Sequence, residues 1–124
     1  MIKEIQEPRE DEYREVAWGK PTQTDKISPI WINRGKVRDS DVKFEVLYCG
    51  ICHYDADIGL NNHHHTTYPC VPGHELLGRV TELGINVTKF KIGDLVGVGC
   101  MVGACLDCKQ CNNGDEQYCD NGMM

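Results

Sequence analysis

The sequence has no long apolar run, and none of its windows approaches the length needed to cross a bilayer. The first sixteen residues alternate charges and contain no apolar segment of the kind that directs secretion. Basic residues are also outnumbered, since 13 Lys and Arg face 19 Asp and Glu, for a formal net charge of −6. This balance disfavours nucleic acid as a partner, because such proteins neutralise phosphates with basic side chains. We therefore expect a cytoplasmic protein with small neutral molecules or metal cations as ligands.

The chain also lacks a glycine-rich dinucleotide-binding turn. Such a turn has the spacing Gly-x-Gly-x-x-Gly, follows a strand and opens a helix. The run Gly97-Val98-Gly99-Cys100 supplies neither that spacing nor a following helical pattern. We assign no cofactor-binding residues in this sequence.

Cysteine, by contrast, is abundant, with 8 residues in a chain of 124. So many cysteines indicate disulfides, metal ligands or redox groups. The expected reducing compartment and the two-residue gaps between several cysteines favour metal ligation over a disulfide framework.

Four of the cysteines form a C-x2-C-x2-C-x7-C array: Cys105, Cys108, Cys111 and Cys119. Zinc accepts four thiolates in a tetrahedron, and closely spaced cysteines on a turning loop can surround one ion. An iron–sulfur cluster is the alternative, but a ferredoxin run places its fourth cysteine after three residues and follows it with proline. Here seven residues intervene and Asp120 follows. Four inert buried thiols are disfavoured by the polar flanking residues, so we interpret the array as a zinc site.

Short apolar runs between turn residues predict a mostly β fold of the small barrel or sandwich type. The predicted strands cover Ile30 to Ile32, Val42 to Tyr48, Leu76 to Leu83 and Leu95 to Val98. In the second of these, Val42, Phe44 and Val46 alternate with charged residues, which predicts one buried face. A short helix is expected at Tyr54 to Leu60, and a loop at 100–119. We predict a charged, loose N-terminal lead-in over residues 1–15 and a single domain over 16–124.

A second constellation lies in the segments CGICHYD, from Cys49, and YPCVPGHE, from Tyr68. Neither segment is informative alone, because a single histidine after a Pro-Gly turn is more often structural than a ligand. Together they supply a thiolate, an imidazole and carboxylates, which suit a catalytic zinc with three protein ligands and one open position.

These two segments, the stretch from VTELG through KFKIGDLVGVGC and the four-cysteine array resemble zinc-dependent medium-chain alcohol dehydrogenases. The resemblance is greatest to the cinnamyl alcohol dehydrogenase branch and covers about residues 16–119. It implies a GroES-like domain, that is, a twisted, partly open β-barrel with a four-cysteine zinc lobe and few short helices. It also implies NAD(P)-dependent interconversion of alcohols and aldehydes, in which zinc polarises the substrate oxygen.

The same resemblance implies roles for single residues. Cys52 and His74 would bind the catalytic zinc, with Glu75 beside the metal as a substitute third ligand, and Asp55 would orient His74. The resemblance implies a structural zinc on Cys105, Cys108, Cys111 and Cys119. The remaining cysteines match no ligand position, and we interpret them as small apolar residues: Cys49, Cys70 and Cys100.

The sequence departs from the family pattern in three places. Tyr54 stands where a Ser or Thr usually relays a proton, and its hydroxyl lies farther out on a rigid ring, so Tyr54 fits a relay poorly. Asp57 replaces a histidine that commonly finishes that relay. The chain ends at Met124, before a later ligand cysteine and the dinucleotide-binding domain. We therefore expect a truncated dehydrogenase that is inactive alone unless a second chain supplies the cofactor half; the alternative is a non-catalytic zinc-binding or interaction module.

Three consecutive histidines, His63, His64 and His65, lie between turn residues. The simpler interpretation is a solvated loop. The alternative is that they recruit a metal ion near the predicted catalytic site.

Overall fold

The computed structural model describes residues 7–122, so part of the predicted lead-in and the last two residues lie outside the described chain. The first two strands, β1 (Glu12–Gly19) and β2 (Ser28–Gly35), form an antiparallel hairpin with Val16 opposite Trp31. Strand β1 thus begins four residues before the predicted domain start at 16, which corrects the loose lead-in over 12–15. The cause is pairing with β2, because backbone hydrogen bonds stabilise this charged segment as a strand without an apolar period of its own.

A second sheet contains three antiparallel strands in the order β3 (Val42–Cys49), β4 (Leu76–Leu83) and β5 (Leu95–Val98). The bounds of β4 and β5 are the predicted ones, and β3 differs by one residue. Irregular register interrupts the β3–β4 pairing between Lys43 and Phe44 and again between Val46 and Tyr48. Such bulges bend and twist a strand, which suits a curved sheet.

The predicted inner face of β3 is only partly covered. Val42 and Phe44 are half-buried, but Val46 is 50% exposed. The prediction of a fully inward face was therefore wrong at Val46, because the second bulge breaks the two-residue alternation after this position.

Three short helical segments complete the described chain: α1 (His53–Leu60), α2 (Lys109–Asn112) and a 3₁₀ turn (Glu116–Tyr118). Helix α1 agrees with the predicted helix to within one residue, whereas the four-cysteine segment contains helical turns where a plain loop was expected. An isolated bridge between Lys20 and Cys70 joins the hairpin to the segment before β4. Among residues 7–122 no helix has the length and apolar character needed to span a membrane.

The buried apolar residues are few and fall into two groups. Ile30 in β2, Val80 in β4 and Cys70 in the isolated bridge form the first group, whereas Cys111 and Cys119 are the buried residues of the four-cysteine lobe. The lobe therefore has almost no apolar core apart from its own sulfurs. Packing alone contributes little to its order, and another interaction must offset the entropy of fixing it.

Candidate metal centres

The four cysteines of the array converge at one point, with their Sγ atoms all within 4.8 Å of one another. The Sγ of Cys111 lies 3.5 Å from that of Cys108 and 3.9 Å from that of Cys105. Zinc–sulfur bonds of about 2.3 Å in a tetrahedron would place sulfurs about 3.8 Å apart. The donor set and its spacing therefore fit a four-thiolate zinc ion.

Short local elements bring these sulfurs together. Helix α2 begins directly after Cys108 and directs Cys111 inward, and the 3₁₀ turn presents Cys119. The chain reverses between them at Gly114, whose φ of +82° is in the region that favours glycine. Because every ligand belongs to one short segment, the geometry follows from local turns rather than from the sheets.

Backbone amides surround the sulfurs as donors. The N–H of Cys108 donates to the Sγ of Cys105 at 3.3 Å, and the N–H of Cys105 donates to the Sγ of Cys119 at 3.5 Å. Hydrogen bonds from the Asp107 backbone first, then from the Asn121 side chain and the Cys108 backbone, lower the pKa of Cys105 to about 6. Similar backbone donors lower the pKa of Cys108. The lowered pKa values of Cys105 and Cys108 favour the thiolate form, which is the form that binds metal.

Cys111 behaves in the opposite way. Burial raises the pKa of its thiol to about 12, and its hydrogen bond with Cys108 contributes in the same direction. A divalent cation at the centre of the four sulfurs would reverse this preference, because a coordinated thiol loses its proton. Metal binding at this cluster is thus linked to proton release.

The second centre is assembled from two distant segments. The Sγ of Cys52 lies 3.3 Å from the Nε2 of His74, although the two residues are 22 positions apart. Bonds of about 2.3 Å to sulfur and 2.0–2.1 Å to nitrogen at a tetrahedral ion imply a separation of about 3.6 Å. These two donors therefore fit one zinc ion after a small adjustment.

Asp55 fixes the orientation of His74. Its Oδ1 lies 3.1 Å from the Nδ1 of His74, while its Oδ2 accepts the N–H of Cys52 at 2.9 Å. A proton on Nδ1 leaves the lone pair of Nε2 directed at the sulfur of Cys52. The three donor groups lie within 4.8 Å of one another, and both oxygens of Asp55 are already engaged.

The first turn of α1 presents Cys52 as its N-cap. The N–H of Tyr54 donates to the Sγ of Cys52 at 3.3 Å, so the helix start stabilises negative charge on this sulfur. The ring of Tyr54 packs edge-on against the ring of His74, with centroids 5.8 Å apart. The ring of Tyr54 therefore lies directly beside the metal-binding group of Cys52 and His74.

The carboxylate of Glu75 is not part of the group of close donors formed by Cys52, Asp55 and His74. Glu75 is exposed, and a Cβ added at Gly50 would collide with its carboxylate. Its backbone carbonyl accepts the N–H of Gly50 at 2.9 Å, which ties the segment after His74 to the segment before Cys52. The structure thus gives Glu75 a contact with Gly50 and does not bring it into the donor set as the substitute ligand that the sequence predicted.

The three remaining cysteines belong to neither group of close donors. Cys70 is buried, and burial raises the pKa of its thiol. Cys49 and Cys100 are exposed, and the interpretation of all three as small apolar residues stays a prediction. Sequence spacing carries no signal for the exposure of a single cysteine, because it depends on which neighbours the sheet provides.

Comparison with known proteins identifies relatives of this arrangement. Residues 38–124 match the profile described as the alcohol dehydrogenase GroES-like domain. The chain is 54% identical over 93 residues to a mannitol dehydrogenase of Petroselinum crispum, covering 75% of this chain and 28% of that protein. A probable cinnamyl alcohol dehydrogenase of Oryza sativa subsp. japonica is 52% identical over 98 residues, covering 79% of this chain and 27% of the relative.

Solved structures of alcohol dehydrogenases are also similar to this chain. A cinnamyl alcohol dehydrogenase from Sorghum bicolor superposes with a TM-score of 0.85 at 40% identity, over 90% of this chain and 31% of that one. A structure titled as CAD from Helicobacter pylori complexed with NADP(H) gives a TM-score of 0.82 at 38% identity, over 88% of this chain and 31% of that one. The likeness confirms the predicted mostly β, GroES-like fold. The chain spans less than a third of the length of each of these relatives.

Proposed function

This chain belongs to the alcohol dehydrogenase GroES-like domain family, and we propose on that premise that residues 16–124 form the zinc-binding, substrate-side domain of an NAD(P)-dependent alcohol dehydrogenase. The reaction class is the interconversion of alcohols and aldehydes. The observation that carries the proposal is the contact of Cys52 with His74, with Asp55 on the other ring nitrogen. Relatives named as cinnamyl alcohol dehydrogenases support the substrate class.

In this proposal Cys52 and His74 hold the catalytic zinc. Zinc held there would supply a Lewis acid for the oxygen of an alcohol or an aldehyde. Asp55 keeps a proton on the Nδ1 of His74 and thereby keeps the Nε2 lone pair free for the metal. The ring of Tyr54 makes an edge-on contact with the His74 ring and helps to hold it in place. A proton relay through the hydroxyl of Tyr54 is a weaker assignment, since the observed contact is made by its ring.

The four-cysteine centre has a structural role in this proposal. Its four thiolates would fill the coordination of one zinc ion and leave no position for substrate, which is typical of structural zinc sites. The lobe contributes few buried apolar residues, so zinc would supply the free energy that orders it.

The nicotinamide cofactor would be bound by residues other than those described, in a further domain or a second chain. This assignment is supported by the absence of a Gly-x-Gly-x-x-Gly turn from the sequence and by the NADP(H) named in the Helicobacter pylori complex. Hydride transfer requires that cofactor, so we expect no alcohol oxidation by these 124 residues alone. A cytoplasmic location, which keeps thiols reduced, remains part of the proposal.

Two other functions share the same cysteines. A non-catalytic zinc-binding or interaction module would keep the four-cysteine site without any need for cofactor, and the presence of Tyr54 and Asp57 at the relay positions favours it. An iron–sulfur electron carrier would show iron and strong visible absorption in the purified protein. A colourless protein that contains zinc would exclude the electron carrier.

The test is the metal content of the purified chain and of two variants, measured by elemental analysis. We expect Cys111→Ser to lose the tightly held zinc and His74→Asn to lose only a more weakly held one. The matched control is Cys100→Ser, which removes an exposed cysteine outside both centres and should leave the zinc content unchanged.

Two results would contradict the proposal. Folded wild-type protein without zinc would contradict the structural role assigned to zinc at the four-cysteine centre. The zinc contents of His74→Asn and wild type are compared under conditions in which both centres of the wild type are filled. Equal contents would contradict the assignment of a catalytic zinc to Cys52 and His74. Addition of a nicotinamide cofactor and an alcohol to a preparation that contains the complementary half would then separate an enzyme from an interaction module.

A further inference from the structure

Three side chains of types that can bind metal, Asp57, His53 and His63, are neighbours outside both cysteine-containing centres. The middle one is Asp57, whose two carboxylate oxygens each face an imidazole. Oδ1 lies 3.6 Å from the Nε2 of His53, and Oδ2 lies 3.6 Å from the Nε2 of His63. Two imidazole nitrogens thus approach one carboxylate from its two sides.

Local structure fixes the carboxylate in this position. His53 and Asp57 are four residues apart on α1 and therefore share one helix face. The helix ends at Asn61 in a left-handed conformation with a φ of 58°, which turns the chain back toward that face. Asn62 then donates its Nδ2 to the Oδ1 of Asp57 at 2.7 Å, and this turn delivers His63 to the other oxygen.

Asp57 is held in its charged form. The Asn62 hydrogen bond, followed by the charges of His53 and His63, lowers the pKa of this carboxyl. Its side chain is only 19% exposed, whereas His53 and His63 are 90% and 48% exposed. A fixed carboxylate is therefore flanked by two imidazoles that are free to adjust.

We propose that Asp57, His53 and His63 bind a divalent transition-metal ion at a site separate from the two cysteine-containing centres. Imidazole and carboxylate ligands suit zinc, nickel and copper, and an ion bonded to both at about 2.0–2.2 Å separates a nitrogen from an oxygen by about 3.4 Å. The two Asp57–imidazole separations of 3.6 Å need only a small contraction, but the three donor atoms are not all within 4.8 Å of one another. One ion can therefore bind all three only if the imidazole of His53, which is 90% exposed, turns toward His63. The remaining coordination positions face solvent.

The three consecutive histidines are not equivalent in this site. The ring of His63 stacks on that of His65, with centroids 5.7 Å apart and planes at 16°, and it also lies 5.7 Å from the ring of Tyr54. His64 has a left-handed backbone, with a φ of 58°, and its ring is in none of these contacts. In a run of flexible, equivalent imidazoles, all three histidines would contribute equally to metal binding. In the proposed site only His63 of the three is a ligand.

The site does not depend on the proposed dehydrogenase function, although it adjoins the Cys52–His74 pair. Tyr54 contacts the rings of both His63 and His74. We therefore expect an ion at Asp57 to change the environment of Tyr54 without displacing metal from Cys52.

The test is a calorimetric titration with Ni²⁺ of the complete chain, purified with its zinc under conditions that leave both cysteine-containing centres filled. We expect Asp57→Asn and His63→Asn each to weaken Ni²⁺ binding at least about tenfold. The matched control is His64→Asn, because asparagine tolerates the left-handed backbone of this position. It should bind Ni²⁺ as the wild type does.

Equal losses in His63→Asn and His64→Asn with no effect of Asp57→Asn would overturn the proposal in favour of unstructured imidazoles. Absence of Ni²⁺ binding to zinc-replete wild type would overturn it outright. The hydrogen exchange of β3 and β4 in the same samples reports whether each variant is folded, because the four-cysteine centre takes all its ligands from one short segment and could hold zinc without the sheet. Failure of the dehydrogenase proposal would appear instead as zinc missing from the wild type before any nickel is added.

Discussion

The two cysteine-containing centres differ in how the chain builds them. The four-cysteine centre takes all its ligands from one segment, in which the first and last are 14 positions apart. The Cys52–His74 pair joins residues 22 positions apart, one at the start of α1 and one in the segment before β4. The first centre can form from local turns with metal alone, whereas the second requires the sheet to place its two segments side by side.

This difference separates the forces that hold the two centres. The lobe buries Cys111 and Cys119 and no larger apolar side chain, so its order depends on its ion. The pair is supported by the Asp55 hydrogen bonds, by the contact of Tyr54 and by the backbone bond between Gly50 and Glu75. The following changes should affect the two centres to different extents.

Removal of zinc by a strong chelator should have the largest effect. Structural zinc contributes on the order of 10 kcal/mol to small metal-ordered folds, and the lobe has no apolar core to replace it. We expect hydrogen exchange over residues 103–121 to become as fast as in an unfolded chain, while β3 and β4 stay protected. Added zinc should restore the protection. A lobe that stays protected in zinc-free protein would contradict the claim that its order depends on a metal ion.

Gly50→Ala should have the next largest effect and should act on the pair. The new Cβ would collide with the Glu75 carboxylate and approach the Glu75 Cβ to 2.9 Å, so backbone as well as side chain must move. We expect a loss of about 2 kcal/mol in the free energy of unfolding, measured in urea with saturating zinc. Gly35→Ala is the control, because a Cβ there meets nothing within 4 Å. Equal stability of the two variants would show that the Gly50–Glu75 approach does not support the pair.

Asp55→Asn should have the smallest effect and the most local one. An amide can still accept the N–H of Cys52, but it no longer supplies the negative charge that makes His74 a strong ligand. We expect metal affinity at the pair to fall about tenfold, or about 1.4 kcal/mol, as followed by the absorption of bound Co²⁺. The four-cysteine centre in the same sample provides the reference and should keep its affinity. A loss shared by both centres would mean that Asp55 supports the fold rather than His74.

Sequence patterns predicted most elements because those elements are signalled locally. The bounds of β4 and β5 follow from apolar runs between turn residues, and α1 was located to within one residue. Strand β1 was not predicted at all, and only Ile30 to Ile32 of β2 was, because the charged residues of β1 become a strand only through pairing with β2. The exposure of Val46 was missed because a bulge in the β3–β4 register breaks the alternation.

The candidate sites divide in the same way. The grouping of Cys105, Cys108, Cys111 and Cys119 could be read from spacing, whereas the pairing of Cys52 with His74 and Asp55 was predicted only through a family resemblance. The nearness of His63 to Asp57 was not predicted at all. The four-residue spacing of His53 and Asp57 was a usable signal, but the reversal at Asn61 that brings His63 to the same face was not visible in the sequence pattern.

The sequence by itself determined strands β3, β4 and β5, the short helix and the four-cysteine array, because each depends on residues that are near neighbours along the chain. Only the tertiary structure decided that His74 meets Cys52, that Glu75 lies against Gly50 instead of joining the donor set, and that Asp57 lies between two imidazoles. The physical reason is that strand register and chain reversal set distances between remote residues to within a few tenths of an ångström, and metal coordination depends on distances of that size.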